Sequence, residues 1–197
     1  MEIRHLKDTN EIQEGINALT SIFIDEYPYY SEWIKNKEKE FKSFEKEVLA
    51  LVEENSTVGY AMIHNCTPNY FKINGIYVFP EFEGNGYASN AIEQIIEEQA
   101  IFGKHYALIQ TRFHNNAVVH MFDKIGFDIL GHNFHKIEQK DNWVAIYDIR
   151  HTNDYINMID IAYKEYPGFE PMSIEEIQKT RDNYSRYEAK TLKKYIK

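Results

Sequence analysis

The stretch that decides the fold is Ile76-Tyr77-Val78-Phe79-Pro80-Glu81-Phe82-Glu83-Gly84-Asn85-Gly86-Tyr87-Ala88-Ser89. An apolar strand runs into a loop that contains two glycines, and an amphipathic helix follows. Gly84 and Gly86 permit backbone conformations closed to other residues, and the small Ala88 and Ser89 let a ligand approach the first amides of the helix. Because free N–H groups and the helix dipole attract anions, this stretch predicts a phosphate-binding loop.

Composition indicates one well-packed domain with an appendage. The 197 residues are 43% hydrophobic and 15% aromatic, which argues against disorder, and the single cysteine, Cys66, excludes an intramolecular disulfide. No apolar run approaches the ~18 residues that a membrane span requires, and the first residues lack an apolar signal core, so we expect a cytoplasmic protein without a membrane partner. The net charge of −9 disfavours nucleic acid as a partner.

Hydrophobic periodicity along the first 150 residues predicts a mixed α/β (α+β) fold. Strands are predicted at residues 2–6, 48–52, 58–63, 70–78, 106–111, 127–131 and 143–149, with a polar turn near 140–142 between the last two. Helices are predicted after a capping box at Asp8 to Glu11, over residues 31–46, after the glycine loop, and after Asn115. This order implies a mainly antiparallel sheet of six or seven strands with helices on both faces.

Two segments of this pattern carry a family resemblance. The first is the glycine stretch with its strand and helix, and the second runs from Asn115-Asn116-Ala117-Val118 to Asp123-Lys124-Ile125-Gly126-Phe127. Together they resemble the GNAT N-acetyltransferase superfamily, the first segment resembling its acyl-CoA-binding segment. Val58-Gly59-Tyr60-Ala61 is similar to the family's usual third strand. We therefore expect a GNAT-like acetyltransferase domain over residues 1–150.

The resemblance implies that acetyl-CoA inserts between the strand ending at Val78 and the strand over 106–111. Backbone amides of residues 84–89 would meet the pyrophosphate, and the strand around Ile76 and Val78 would pair with the pantetheine arm. The Val78 amide would donate to the thioester carbonyl, and Asn115 would lie beside the pantetheine. The cofactor-binding residues so implied are Ile76, Tyr77, Val78, Glu83, Gly84, Asn85, Gly86, Tyr87, Ala88, Ser89, Asn115 and Phe122.

Two residues depart from the family's pattern. Glu83 stands where members commonly carry Gln or Arg near the phosphates, and Phe122 stands where many carry the tyrosine that protonates the departing CoA thiolate. The primary interpretation is an N-acetyltransferase in which a primary amine of a small molecule or peptide attacks acetyl-CoA directly in a ternary complex. The alternative is a GNAT-like acyl-CoA-binding or regulatory module without turnover.

Candidates for the general base and the acceptor site are dispersed. His114 and His64 are the candidate bases, and for each the competing interpretation is an ordinary loop or strand-end histidine. Glu26, Tyr27, Tyr29 and Tyr30 lie where the family lines its acceptor site, with aromatic packing as the competing interpretation. His132 and His135 would point to opposite faces of a strand, so no metal site is predicted.

Residues 151–197 form the appendage, which is predicted to be helical. A second capping box is Ser173 to Glu176, and Pro167-Gly168 breaks the helical pattern before it. The order of Ile149-Arg150-His151 and Glu165-Tyr166-Pro167 echoes Ile3-Arg4-His5 and Glu26-Tyr27-Pro28. The appendage is therefore interpreted either as an incomplete second GNAT-like copy or as a helical extension, and it is a candidate for forming a homodimer.

Overall fold

A computed structural model describes residues 1–26, 45–112, 115–135 and 140–179. The strands form a mixed, mostly antiparallel sheet of eight strands, which confirms the predicted fold class with one strand more than expected. The chain divides into two compact units, Met1–Ala107 and Leu108–Lys197. The predicted helix over 31–46 falls outside the described residues except for its end, where Lys46 begins a strand.

The described residues of the first unit form four antiparallel strands and two α-helices. In chain order they are β1 (Glu2–His5), α1 (Thr9–Glu26), β2 (Lys46–Glu53), β3 (Ser56–His64), β4 (Tyr70–Val78), a 3-10 turn (Pro80–Phe82) and α2 (Tyr87–Ile101). The strands lie side by side in the order β1-β2-β3-β4. The predicted hairpin of β2 and β3 is confirmed, and Glu54 and Asn55 close it with φ values of 48° and 65°. Such positive values suit a two-residue hairpin turn.

Helix α1 begins where the sequence predicts. The Asp8 carboxylate accepts hydrogen bonds from the amides of Asn10 and Glu11 at 2.8 and 3.2 Å, so it caps the helix. The carboxylate of Glu11 accepts from the Arg4 guanidinium at 2.9 Å, which links the helix to β1. The buried face of α1 then packs on one face of the strands, in a cluster of Leu6, Ile16, Leu19, Val48, Ala50, Tyr60 and Met62.

The opposite face of the same strands is buried as well. Strand side chains alternate between faces, and the residues between those of the α1 cluster are fully buried: Leu49, Leu51, Ala61 and Ile63. Helix α2 contacts β1 and β4 and buries Ala91, Ile92, Ile95, Ile96 and Gln99. Each such apolar side chain stabilises the fold by about 1.5 to 3 kcal/mol. The first unit therefore has helices on both faces of its sheet.

His5, the last residue of β1, contacts both β2 and the C-terminal part of α2. Its Nδ1 lies 2.7 Å from a Glu47 oxygen on β2, and its Nε2 lies 2.7 Å from a Glu98 oxygen on α2. The hydrogen bond to Glu47 raises the pKa of His5 to about 9, against the opposing effect of burial and with a further contribution from Glu98. The same contact lowers the pKa of Glu47. His5 is therefore a cation between two carboxylates at neutral pH.

This cluster predicts a specific pH dependence of stability. The pKa of His5 is raised from 6.5 to about 9 in the folded chain, so its contribution is complete below pH 6.5 and is lost as pH rises through 9. The free energy of unfolding should fall over this window by about 1 to 3 kcal/mol more in the wild type than in His5→Gln. Chemical denaturation at several pH values measures the difference.

The matched control is His120→Gln, because His120 is exposed on a helix. That variant should keep the wild-type pH dependence. Parallel stability curves for the wild type and His5→Gln would show that the two ion pairs do not stabilise the fold.

The second unit contains the remaining strands. Its elements are β5 (Tyr106–Arg112), which starts two residues before the boundary, α3 (Asn116–Ile125), β6 (Asp128–His135), β7 (Lys140–Asp148), α4 (Tyr155–Glu165) and β8 (Phe169–Pro171). Their order in the sheet is β5-β7-β6-β8. The turn predicted near 140–142 is wrong, because these residues begin β7. The polar Asn142 is tolerated in this buried strand because it accepts a hydrogen bond from the buried Arg112 at 3.1 Å.

The appendage is not wholly helical. Strand β8 pairs antiparallel with β6, and Gly131 of β6 makes this possible, since a Cβ there would lie 2.2 Å from the Glu170 carbonyl oxygen. The second capping box is confirmed: the Glu176 amide donates to Ser173 Oγ at 3.2 Å, and the Ser173 amide donates to the Glu176 carboxylate at 2.8 Å. The division at residue 150, the second-copy interpretation and the role in a homodimer stay predictions.

Candidate active site

The glycine loop is held by its own hydrogen bonds. Phe79 leaves β4 in an extended conformation, and its carbonyl accepts from the Phe82 amide at 2.8 Å. The Glu83 amide donates to the Pro80 carbonyl at 3.3 Å, and the Asn85 side chain donates to the Phe82 carbonyl at 3.0 Å. These contacts fix the path of the backbone from the strand to α2, so the loop is shaped before any ligand arrives.

Gly84 and Gly86 are required by backbone conformation. Their φ values are 78° and 77°, in the left-handed region that L side chains rarely adopt. A Cβ at either position would meet no atom within 4 Å, so the space beside both residues is open. The loop therefore presents an open backbone surface to a ligand.

The N-terminus of α2 lacks a capping side chain. Gly86 is its N-cap, and the first helical bond runs from the Asn90 amide to the Gly86 carbonyl at 3.0 Å. By contrast, Asn115 caps α3 through the Val118 amide and Asp154 caps α4 through the Asn157 amide. No acidic residue lies in the first turn of α2. The amides of residues 87–89 are thus arranged to bind an anion.

The end of β4 directs two amides away from β3. The Phe79 amide donates to the Val58 carbonyl at 2.9 Å, and Val58 is the residue before Gly59, which lies opposite Val78. Hydrogen bonding alternates along an antiparallel strand, so the N–H groups of Val78 and Ile76 point to the edge away from β3. Neither N–H group bonds to β3, and their pairing with an extended, amide-bearing ligand stays a prediction.

The side chain of Tyr77 takes no part in this edge. It packs against the α1 cluster, and its ring lies 5.6 Å from that of Phe79. Burial and the negative charges of Glu81 and Glu83 raise the pKa of Tyr77, so it remains a neutral phenol.

The sequence model of the Acetyltransferase (GNAT) family matches residues 13–127, which is more than half of the chain. The chain belongs to the GNAT family of acetyltransferases. The resemblance inferred from the two sequence segments is thereby confirmed. No curated protein matches the chain.

Solved GNAT structures share its fold. A spermidine N-acetyltransferase chimera from Vibrio cholerae and hSSAT has a TM-score of 0.62 and 16% identity, covering 80% of this chain and 100% of that one. The aminoglycoside 6'-N-acetyltransferase from Enterococcus faecium has a TM-score of 0.59 and 14% identity, covering 78% and 100%. An aminoglycoside 6'-N-acetyltransferase complexed with coenzyme A has a TM-score of 0.60 and 13% identity, also covering 78% and 100%.

One irregularity of β4 was missed by the sequence analysis. Met62 lies opposite Gly75 and Ile63 lies opposite Ile73, so Asn74 is an extra residue that forms a β-bulge in β4. The Asn74 side-chain nitrogen is buried and lacks a hydrogen-bond partner among the described residues. Bulges re-aim strands beside active sites, and Gly75 inside an apolar strand was the available signal.

The predicted residues of the later GNAT segment lie in the second unit. The Asn115 side chain accepts from the Val118 amide at 3.3 Å and caps α3, as expected. Phe122 is fully buried, and its ring lies 5.5 Å from that of Phe127. Both residues therefore have structural roles there, and their contacts with a cofactor stay predictions.

Of the candidate bases and acceptor residues, His64 and Glu26 lie within the described residues. His64 lies opposite Lys72 of β4. Lys72 is six residues before Val78, so His64 is about 20 Å from Val78 along the strand direction. Its Nδ1 lies 3.6 Å from Cys66 Sγ. His114 and the tyrosines at 27, 29 and 30 lie outside the described residues, and Glu26 is the last residue of α1.

Metal and membrane sites find no support in residues 1–26, 45–112, 115–135 and 140–179. This part of the chain contains no group of three or more His, Cys, Asp and Glu side chains that could hold a metal ion. None of its helices is long and apolar enough to span a membrane.

Gly59 positions the end of β4 and provides a test of the site's geometry. A Cβ at Gly59 would lie 2.1 Å from the Tyr77 carbonyl oxygen, so Gly59→Ala must displace the backbone next to Val78. We expect a loss of about 3 kcal/mol in the free energy of unfolding. Denaturant titration measures this loss, and calorimetry should show weaker acetyl-CoA binding by the folded variant.

Gly103→Ala is the matched control. Gly103 has a φ of 81° and open space around it, so the substitution strains the backbone without displacing β4. It should cost about 1 kcal/mol and leave acetyl-CoA affinity unchanged. Equal behaviour of the two variants would contradict the positioning role of Gly59.

Proposed function

We propose that the protein is an acetyl-CoA-dependent N-acetyltransferase that acetylates a primary amine of a small molecule or peptide by direct attack in a ternary complex. The observation that carries the proposal is the uncapped start of α2, together with the outward amides of Ile76 and Val78, in a chain of the GNAT family. Two kinds of solved neighbours, named for spermidine and for aminoglycosides, act on amines. Their names support an amine acceptor and do not select one.

Acetyl-CoA fits the described residues. The amides of residues 87–89 and the open backbone at Gly84 and Gly86 suit the pyrophosphate. The edge amides of Ile76 and Val78 suit the amide groups of the pantetheine arm. When bound, acetyl-CoA supplies an acetyl thioester, whose carbonyl carbon accepts the amine nitrogen.

The chain's own contribution to the reaction is positioning and charge stabilisation. The Val78 N–H would donate to the carbonyl oxygen as negative charge develops there, and such a donor is worth ~3 to 4 kcal/mol. Phe122 donates no proton, so the sulfur would leave as a thiolate, which a thiol pKa near ~8.5 permits. Asn115 would lie beside the pantetheine.

The proton of the attacking amine requires a base, directly or through water. The separation of His64 from Val78 argues against His64, and His114 is the candidate that we retain. Glu26, Tyr27, Tyr29 and Tyr30 are proposed to line the acceptor site. The protein would work in the cytoplasm, where acetyl-CoA and amines meet.

A second candidate function is an acyl-CoA-binding module without turnover. It is favoured by Phe122, which offers no acid, and by β4, whose residues 70–78 include no carboxylate. Glu83 also places a negative charge beside the proposed phosphate site. Under this alternative, acetyl-CoA binds and no amine is acetylated.

Binding and turnover separate the two candidates. We expect calorimetry to detect acetyl-CoA binding, and we expect the thiol released from acetyl-CoA to exceed the no-protein rate in the presence of a polyamine, aminoglycoside and peptide panel. Binding without thiol release across the panel would favour the module. Absence of binding at up to millimolar acetyl-CoA would contradict both the acetyltransferase and the acyl-CoA-binding module.

A charge at the start of α2 tests where the phosphates bind. Ala88→Asp places a carboxylate in the first turn, where it should stabilise the helix by about 0.5 kcal/mol through the dipole. The same carboxylate should repel the pyrophosphate and weaken acetyl-CoA binding by ~10-fold or more. Thermal unfolding and calorimetry measure the two opposite effects.

Ala100→Asp makes the same substitution near the other end of α2. It should leave acetyl-CoA affinity unchanged and slightly destabilise the helix, because its charge meets the negative end of the dipole. Equal loss of binding in both variants would mean that the pyrophosphate does not bind at the N-terminus.

Glu83 should weaken acetyl-CoA binding in the wild type. Removing its charge with Glu83→Gln is expected to tighten binding by ~3-fold at low salt and by less at high salt, because screening reduces repulsion between exposed charges. Glu93→Gln, on the exposed side of α2, is the control and should have no effect. Unchanged affinity in Glu83→Gln would mean that this carboxylate points away from the phosphates.

A further inference from the structure

A cavity lies in the first unit, at the far end of α2 from the glycine loop. Its volume is about 920 Å³, within the range of small-molecule sites. Glu98, on its wall, follows Tyr87 by eleven residues, which is about 16 Å along the helix axis. The described residues that line it are His5, Leu6, Lys7, Thr9, Ile12, Gln13, Ile16, Lys46, Glu47, Val48, Asn65, Pro68, Glu98, Gln99, Phe102 and Lys104. The cavity is therefore distinct from the proposed acetyl-CoA loop.

The two carboxylates of this wall already have partners. His5 lies 2.7 Å from both Glu47 and Glu98, and the second oxygen of Glu47 accepts from the Asn65 side chain at 2.8 Å. His5 is cationic at neutral pH because its pKa is raised to about 9, first by the hydrogen bond to Glu47. A cationic ligand would have to compete with this arrangement for the carboxylates.

The lysines leave the cavity positively charged. Lys7 is exposed, Lys46 is 2% exposed, and the Lys104 ammonium donates to the Thr67 carbonyl at 2.5 Å with further donors in reserve. With His5, the described lining residues carry four cations against two carboxylates. The described lining residues are thus richer in cations than the chain as a whole, whose net charge is −9.

Gln99 gives an independent indication of a polar ligand. It is 3% exposed and lines the cavity, and its side-chain amide makes no hydrogen bond with any described residue. The amide can donate a hydrogen bond to a ligand in the cavity and accept one from it. The wall also contains apolar side chains, including Ile12, Ile16 and Phe102, which is 67% exposed.

We propose that this cavity binds a small oxyanion that carries an apolar body, such as an aryl or acyl carboxylate or phosphate ester. The anionic group meets the ammonium groups of Lys7 and Lys104 and the amide of Gln99. The apolar body packs against Ile12, Ile16 and Phe102. The site is independent of the acetyl-CoA loop, so the proposal stands or falls separately from acetyltransferase activity.

Fluorine NMR titrations with three probes of one shape test the proposal. The probes are fluorobenzoate, fluorophenyl phosphate and the neutral fluorobenzamide, added to the full chain. We expect at least one anion to bind ~10-fold more tightly than the amide, and the stronger of the two anions identifies the preferred head group. Equal binding of the neutral and anionic probes would overturn the proposal.

Variants then locate the probe. Lys7→Gln, at an exposed position, should weaken the anion ~3-fold without disturbing the fold, and the double variant Lys7→Gln, Lys104→Gln should weaken it ~10-fold or more. Lys124→Gln is the matched control on an exposed helix position and should have no effect. Ala88→Asp should also leave the anion bound, because it alters only the glycine loop.

Two results would contradict the location. If the lysine variants bind the anion as the wild type does, the cavity is not its site. If Ala88→Asp abolishes binding, the anion occupies the glycine loop instead. Thermal unfolding of each variant confirms that a loss of binding occurs in folded protein.

Discussion

The close approach of β3 and β4 at Gly59 is the constraint on which the rest of the site depends. Only a residue without Cβ admits the Tyr77 carbonyl at that position, and the resulting register sets Gly59 opposite Val78. The register in turn decides which amides of β4 point away from β3. It also decides where the strand stops and the glycine loop starts. The hydrogen bond proposed for the Val78 amide thus depends on the absence of a side chain at Gly59 on the neighbouring strand.

Features decided by local sequence were predictable. The caps at Asp8, Asn115 and Ser173 and the left-handed glycines follow from bonds made within a few residues, so the sequence alone locates them. The alternation of β2 and β3 is equally local, because one face of each strand must be apolar. The conformation of the glycine loop belongs to this class, because Gly84 and Gly86 adopt the left-handed backbone that glycine permits.

Features decided by distant partners were not predictable. Lys140 to Asn142 read as a turn because they are polar, yet Arg112, thirty residues earlier, satisfies Asn142 inside the sheet. Strand β8 is three residues long and too short for a periodic pattern. The His5 cluster unites residues 5, 47 and 98, whose separation in sequence conceals their contact. The base and acceptor residues depend on the same kind of long-range placement.

The two ends of helix α2 differ in the charge that their surroundings favour. Its N-terminus is bare and suits an anion, while His5 and the lysines lie around its C-terminal end, where the dipole favours cations. The dipole of α2 therefore favours an anion at the glycine loop, whereas at the other end it favours the cationic side chains of the cavity and not the anion proposed to bind them. A change of helix length would alter both ends together.

The pairing of β8 with β6 at Gly131 affects how readily the chain can associate with other copies. A strand at the edge of a sheet exposes unpaired amides and carbonyls, and another chain can pair with them. Phe169 to Pro171 cover that edge of β6 with three residues and end it with a proline, which cannot extend the ladder. A chain that stopped at residue 150 would keep the GNAT segments but leave this edge open, so we expect it to self-associate through β6 more readily than the full chain does.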